Sequence, residues 1–183
     1  LKNDGGAPDS QSGYGNLINS LMEAFDDASI AADAALNMLS AGRDTTAQSL
    51  TWTFYLLMRH PSANRRLRQE VLGAFPHKAF GHDLCKIDLA ALQPVKLPYT
   101  TAVFYEALRL YPPVPFEIKQ CQIDVTLPDG TFLPGGSIVV WCIWAMNRSV
   151  EIWGQQGPDL ETFNPERWLQ DGRFVGKGAF DFP

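Results

Sequence analysis

SIAADAALNMLSAGRDTTAQSLTWTFYLLMRH, residues 29–60, carries the strongest helical signal in the chain. Leu36, Leu39, Thr46, Leu50, Phe54 and Leu57 follow helical spacing, and no proline interrupts until Pro61. A helix over this stretch reaches roughly 45 Å, enough to cross a whole domain. Gly42 and Asp44-Thr45-Thr46 sit in its middle, where glycine costs about 1 kcal/mol relative to alanine. One reading is that two helices meet here, Gly42 ending the first and Thr45-x-x-Gln48 boxing the start of the second. The apolar register favours one continuous helix: Leu36 and Leu50 stay within roughly 40° of one face, a phase that a break would lose. The helix then has a weak point with a chemical use. A small residue lets something large approach the backbone, and an acid beside an alcohol can pass protons.

Outward from this helix the pattern stays helical before it changes. A short helix is expected over 14–26, through Leu17, Leu21 and Phe25. Another starts at Pro61 and ends near Phe75-Pro76, carrying Leu67, Val71 and Leu72. A polar loop, 77–97, holds a short turn at DLAAL, and Pro98 opens a helix that Pro112-Pro113 stop. IDVTL (123–127), a PDG turn and TFL (131–133) read as a hairpin, and SIVVWCIW (137–144) as a buried strand. The tail from Asn147 reads as loop with short helical pieces. The fold class is mainly α with a small β-sheet. Residues 1–13, almost free of apolar side chains, read as a loop or disordered linker, leaving 14–183 for the domain.

Composition narrows the function classes. A net charge of −5 gives no general reason to expect nucleic-acid binding, and no run of 18 apolar residues exists to span a membrane. Three widely spaced cysteines, Cys85, Cys121 and Cys142, contain no CxxC pair, which points away from a zinc ribbon or disulfide framework and toward a reducing, intracellular setting. Cys142, inside the expected strand, reads as a buried small hydrophobe. His77, His82 and Cys85 could supply three zinc ligands from one loop, but the spacing matches no common pattern and a polar connector is the default.

EALR, residues 106–109, is a weak motif alone, because Glu and Arg at i, i+3 are usually a solvated surface pair. Here Val103, Phe104, Ala107, Leu108 and Leu110 make the helix apolar nearly all round, so the pair is expected to be buried. A buried ion pair needs its remaining hydrogen bonds met, which calls for a third partner. FNPERW, residues 163–168, offers Arg167 from a loop.

AGRDTT, EALR and FNPERW, in this order and spacing, resemble the cytochrome P-450 superfamily of haem-thiolate monooxygenases. The resemblance runs from about residue 14 to 183 and implies a partial domain, incomplete at both ends, with the family's long central helix, the two helices after it, a hairpin, a strand and the start of the meander. It implies that Ala41 and Gly42 lie over the haem face, that Thr45 hydrogen-bonds dioxygen and that Asp44 helps deliver protons. Glu106, Arg109 and Arg167 would form a structural triad behind the haem. LYPPVP would bring Val114, Pro115 and Phe116 to the substrate. Where many fungal members carry Asn and Arg, this chain has Glu117 and Lys119, and Lys119 would meet a haem propionate as a point charge rather than a bidentate fork. AGRDTTAQSLTW, WAMNR (144–148) and FNPERW are worded most like the fungal branch that oxidises alkanes and fatty acids.

The implied activity is insertion of one oxygen atom of O2 into a hydrophobic substrate, using haem and electrons from NADPH through a flavoprotein reductase. The implied location is the cytosolic face of the endoplasmic reticulum membrane, with a membrane anchor in an N-terminal part outside this sequence. The axial cysteine of the family lies in an FxxGxRxCxG loop beyond the PER motif. Cys85, Cys121 and Cys142 lack those neighbours, so no metal ligand is assigned within these residues. Arg59, His60, Arg65, Arg66 and Arg68 form a basic stretch, read as a solvated face or as a dock for an acidic redox partner. An isomerase acting on hydroperoxides would not need Asp44 and Thr45, and a haem-free helical module is the reading if the natural protein ends at Pro183.

Overall fold

The computed structural model describes residues 13–75, 89–154, 159–178 and Phe182. Its elements run α1 (Gly13–Ala24), α2 (Ala28–Arg59), α3 (Pro61–Ala74), a 3-10 turn (Leu89–Leu92), α4 (Pro98–Leu110), β1 (Glu117–Gln120), β2 (Val125–Thr126), β3 (Phe132–Leu133), β4 (Ile138–Trp141), α5 (Ile143–Met146), α6 (Val150–Trp153), a 3-10 turn (Pro165–Trp168), β5 (Leu169–Gln170) and β6 (Arg173–Phe174). The mainly helical class with small antiparallel sheets holds, and α2 passes through AGRDTT without a break. The linker read into 1–13 lies almost wholly outside the described residues, as do His77, His82 and Cys85.

The chain divides into two compact units, Leu1–Thr45 and Thr46–Pro183. In the first, α1 closes with Phe25 N–H on Leu21 O at 3.0 Å, and Leu21 and Ala31 are buried. Asp27 caps α2: its Oδ1 accepts from Ser29 Oγ and from Ser29 N–H, each at 2.8 Å. Those bonds from Ser29 hold the exposed Asp27 carboxyl below the usual carboxylate range.

The second unit is organised around α4. Leu57, Ala63, Tyr99 and Val103 form one buried cluster, with Leu67, Phe163 and Leu169 packed on it. Ala102, Trp153 and Trp168 form another, covered by Tyr105, Phe174 and Phe182 among others. Pro98 stands at the first turn of α4, and its N-cap residue, Leu97, has no side chain able to cap. Glu70 of α3 does that work from a distance. Its Oε1 accepts Tyr99 N–H at 2.8 Å, and its Oε2 accepts Thr100 N–H at 2.7 Å and Thr100 Oγ1 at 2.6 Å. A carboxylate on two orphan amides also suits the positive end of the helix dipole.

Among the described residues there are three two-stranded antiparallel ribbons: β1 with β4, β2 with β3, and β5 with β6. The expected hairpin is present but short, pairing Val125 with Leu133 and Thr126 with Phe132 around a turn in which Gly130 has φ 89°. The buried strand read into SIVVWCIW is a correction. β4 ends at Trp141, and Ile143–Met146 turns into helix. A two-stranded ribbon has no third strand to cover its faces, and Ile138 and Val140 are 65% and 55% exposed. Cys142 is accordingly not a strand hydrophobe; half-buried, it caps α5 by accepting Ala145 N–H on Sγ at 3.4 Å. The tail holds a further hairpin absent from the sequence reading, β5–β6, whose turn residues Asp171 and Gly172 have φ 51° and 73°. Asp-Gly with both residues left-handed is a two-residue hairpin turn.

Candidate functional site

Glu106 and Arg109 project from successive turns of α4 and are both 0% exposed. Arg109 Nε and Nη2 donate to Glu106 Oε2 and Oε1 at 2.8 and 2.9 Å, a bidentate fork. Nη1 donates to the carbonyls of Asn147 and Leu160 at 2.9 and 2.8 Å, and Nη2 reaches the carbonyl of Thr162 at 3.3 Å. A guanidinium has five N–H donors, and each finds an acceptor. Glu106 is equally saturated. Besides the fork, Oε1 accepts Asn164 N–H at 3.0 Å and Oε2 accepts the Trp168 indole N–H at 2.9 Å. Desolvation of this pair is therefore met by hydrogen bonds at every position.

The third partner expected at Arg167 is there, in a weaker form. Arg167 Nε stands 3.6 Å from Glu106 Oε1, an ion pair longer than a hydrogen bond, with the arginine side chain almost buried. The tighter links come from its neighbours in FNPERW, Asn164 and Trp168. Glu166 of the same motif pairs with Arg66 of α3. The Arg66 guanidinium also lies 4.0 Å over the Tyr99 ring. Burial pushes the Tyr99 phenol up, and the Arg66 charge works against that shift. Arg148 fastens the other end of α4, donating to Leu110 O at 2.6 Å and to Glu161 Oε2 at 3.0 Å.

α2 positions the other expected site residues. Thr45 Oγ1 donates to Ala41 O at 2.8 Å, which is a back-bond inside a continuous helix and excludes the capping-box reading of Thr45 and Gln48. Nothing lies within 4 Å of where a Cβ on Gly42 would stand. Ala41, Gly42 and Asp44 are exposed and Thr45 is half-buried. Beyond α4, Val114, Pro115 and Phe116 are exposed, and Pro115 O accepts Trp144 N–H at 3.3 Å. Lys119 is exposed on β1, paired with Val139 of β4. Among the described residues no three His, Cys, Asp or Glu side chains converge as metal ligands.

The residues that sequence reasoning missed here are the acceptors and donors of the main chain, Asn147, Leu160, Thr162 and Asn164, and the indole of Trp168. Only Trp168 leaves a trace in the sequence. A tryptophan beside a buried arginine needs an acceptor for its N–H, and Glu106 is a buried carboxylate with capacity to spare.

A family model described as Cytochrome P450 matches residues 15–180. Cytochrome P450 86B1 of Arabidopsis thaliana is 38% identical over 157 residues, covering 82% of this chain and 27% of that protein. Cytochrome P450 94C1 of the same plant is 37% identical over 174 residues, covering 93% and 34%. Cytochrome P450 monooxygenase himC of Aspergillus japonicus is 36% identical over 160 residues, covering 83% and 27%. A crystal structure of a cytochrome P450 (CYP102L1) superposes with a TM-score of 0.65 at 26% identity, over 80% of this chain and 31% of that one. The chain thus spans between 27% and 34% of the length of these relatives. With the motifs, the helical order and the saturated Glu106–Arg109 cluster in place, the chain belongs to the cytochrome P450 family.

Proposed function

We propose that residues 14–183 are part of a larger haem-thiolate monooxygenase domain that inserts one oxygen atom of O2 into a hydrophobic substrate. The observation that carries this reading is the unbroken α2 helix through AGRDTT, with open space at Gly42 and the Thr45 hydroxyl held against Ala41 O at 2.8 Å. These residues fit a haem. A bare glycine lets a flat macrocycle approach the helix, and Lys119 offers an ammonium to a propionate. Thiolate-ligated haem supplies the iron chemistry that splits O2. What this chain adds is proton supply and position. Thr45, whose hydroxyl rests on Ala41 O, would turn to donate a hydrogen bond to the reacting oxygen, and Asp44 would help deliver protons. Val114, Pro115 and Phe116 give apolar surface to the substrate, and Glu106, Arg109 and Arg167 act at a distance by holding the pocket's frame.

A fatty acid or alkane is the substrate class we assign, from the wording of AGRDTTAQSLTW, WAMNR and FNPERW. Electrons come from NADPH through a flavoprotein reductase, for which exposed Arg65 and Arg68 offer a basic dock. No described helix is long and apolar enough to cross a membrane. The cytosolic face of the endoplasmic reticulum is the location proposed for the full-length protein, with its anchor outside residues 1–183. The intact Asp44-Thr45 pair favours oxygen insertion over hydroperoxide isomerisation.

The test uses the full-length protein. Its reduced carbon-monoxide complex is expected to show the absorbance band that gives the family its name. Thr45→Val should keep that band while product formed per NADPH falls by about 10²-fold or more, the usual contribution of a positioned proton donor. A full-length protein without the band overturns the haem-thiolate reading, and unchanged coupling in Thr45→Val overturns the role of Thr45.

A further inference from the structure

Arg148 lies two residues past the end of α5, with its side chain only 10% exposed. Its guanidinium is shared three ways. Nη2 donates to Leu110 O at 2.6 Å, Nη1 to Trp144 O at 3.2 Å and Nε to Glu161 Oε2 at 3.0 Å. The guanidinium carbon also stands 4.0 Å from the centroid of the Trp144 ring, so Trp144 is held by backbone and side chain together. Leu110 ends α4, and its carbonyl is one of four that a helix leaves without an internal partner. A cation there suits the negative end of the helix dipole. Capping accounts for the bond to Leu110. It does not account for the grip on Trp144.

What Leu110 and Trp144 share is the strip YPPVPF, residues 111–116, which leaves α4 after Leu110 and enters β1 at Glu117. Trp144 N–H donates to Pro115 O within that strip at 3.3 Å. Prolines at 112, 113 and 115 fix φ, and the residue before each is restricted as well. A strip this stiff bends little, so the places where it is pinned decide where Val114 and Phe116 stand. Arg148 reaches both pins, one through Leu110 O and the other through Trp144. The β1–β4 ladder starts at Glu117 and Trp141, beyond the strip.

We propose that Arg148 is a positioning residue that sets substrate orientation, clamping Pro115 to the end of α4 through Trp144. It touches no substrate and acts through the backbone of the strip. The proposal rests on the reading of Val114, Pro115 and Phe116 as the substrate-facing surface. A misplacement of about 1 Å away from the chemistry can change a rate by roughly 10²-fold. The choice between adjacent carbons of an apolar substrate is therefore sensitive to where this strip stands.

The test uses the full-length protein with dodecanoic acid as the probe. Arg148→Met removes all three bonds. It is expected to keep the reduced carbon-monoxide band and to change the ratio of the main oxidation position to its neighbour by about 5-fold or more, the worth of one hydrogen bond. Arg148→Lys keeps a point charge at the end of α4 but cannot bridge two carbonyls, so it should recover stability without recovering the ratio. Glu161→Gln, at a side chain 60% exposed, removes only a surface ion pair and should leave the ratio unchanged. Full recovery by lysine, or an equal shift in Glu161→Gln, overturns the clamp, because charge alone would then be at work. Crystal structures of the parent and Arg148→Met should show Pro115 displaced by about 1 Å relative to α4. A strip that stays in place overturns the proposal. If Arg148→Met does not hold haem, Trp144→Leu, at a position 46% exposed, takes its place with the same expected shift and the same overturning result. Val114→Ala and Phe116→Ala separate the two readings. If neither alters the ratio, the strip does not face the substrate; if they alter it and Arg148→Met does not, this inference alone fails. If the parent protein leaves dodecanoic acid unoxidised, the position of Pro115 decides the clamp by itself.

Discussion

Trp168 Nε1 donates to Glu106 Oε2 at 2.9 Å, joining the FNPERW turn to the middle of α4 across 62 positions of sequence. Trp168 is also a large, fully buried side chain, T-shaped against Tyr105 and Trp153. One residue therefore fills the second core cluster and closes the shell of a buried carboxylate. Trp168→Phe keeps most of the ring and removes the donor. Stability is expected to fall by about 1.5–3 kcal/mol, the range for a hydrogen bond to a charged group, read from denaturant unfolding. An unchanged midpoint would show that the indole bond contributes nothing.

Arg109→Lys tests the saturation of the cluster. Lysine keeps the charge but brings three donors where five are used, and it cannot make the fork to Glu106. Two of the carbonyl and carboxylate acceptors lose their partners in a fully buried site. A loss of about 3–5 kcal/mol is expected, comparable to breaking a buried pair outright. If lysine is tolerated within about 1 kcal/mol (~5-fold in the folding constant), the fork is not what holds α4.

Glu70→Ala should unfasten α4 from α3. Three bonds to Tyr99 and Thr100 are lost, and Leu97 has nothing to replace them. The cost is expected at about 1–2 kcal/mol, the upper part of the range for an N-cap. Glu70→Gln, which keeps an acceptor, should recover part of it. Equal losses in the two variants would mean that packing of the side chain, not capping, is at work.

Tyr99 gives a pH dependence with a definite sign. Its ionisation is raised above the ordinary 10.0 by burial, so the folded state holds the phenol proton more tightly than the unfolded chain does. This stabilisation is fully present below pH 10.0 and is lost as pH rises through the higher folded value. Tyr99→Phe should therefore lose less stability between neutral and strongly alkaline pH than the parent chain. Parallel pH profiles would remove Tyr99 from the alkaline transition.

Gly42→Ala separates folding from function. With nothing within 4 Å of the added methyl, α2 should gain about 0.5–1 kcal/mol from the better helix former. If the bare backbone exists to let a macrocycle approach, the same change in the full-length protein should weaken haem retention, measured as haem bound per chain. A gain in both would leave Gly42 without a functional reason.

How far the sequence reaches depends on the kind of group concerned. α2 is legible because its leucines keep phase, and α3 and α4 because Pro61 and Pro98 mark their starts. The burial of Glu106 and Arg109 is legible too, since α4 is apolar on nearly every side. Their partners are mostly not: the carbonyls of Asn147, Leu160 and Thr162 are main-chain groups, identical for every residue type. Glu70 is hidden for a related reason, because a cap supplied from another helix leaves no local pattern. SIVVWCIW misleads because an apolar β-branched run looks alike in a covered sheet and in an open ribbon. The β5–β6 turn was readable, as Asp171-Gly172 is a strong hairpin signal placed in a tail that otherwise looks irregular.

The Arg109 fork has a consequence for time as well as for energy. Its acceptors arrive from positions 38, 51 and 53 residues downstream, and the donors to Glu106 from 58 and 62. Each closure is a long loop, and none of them is rewarded until the charges have left water. The cluster is therefore expected to form late in folding and to open before α4 can leave. The Glu106–Arg109 pair would thereby act as a latch on the lifetime of the folded chain.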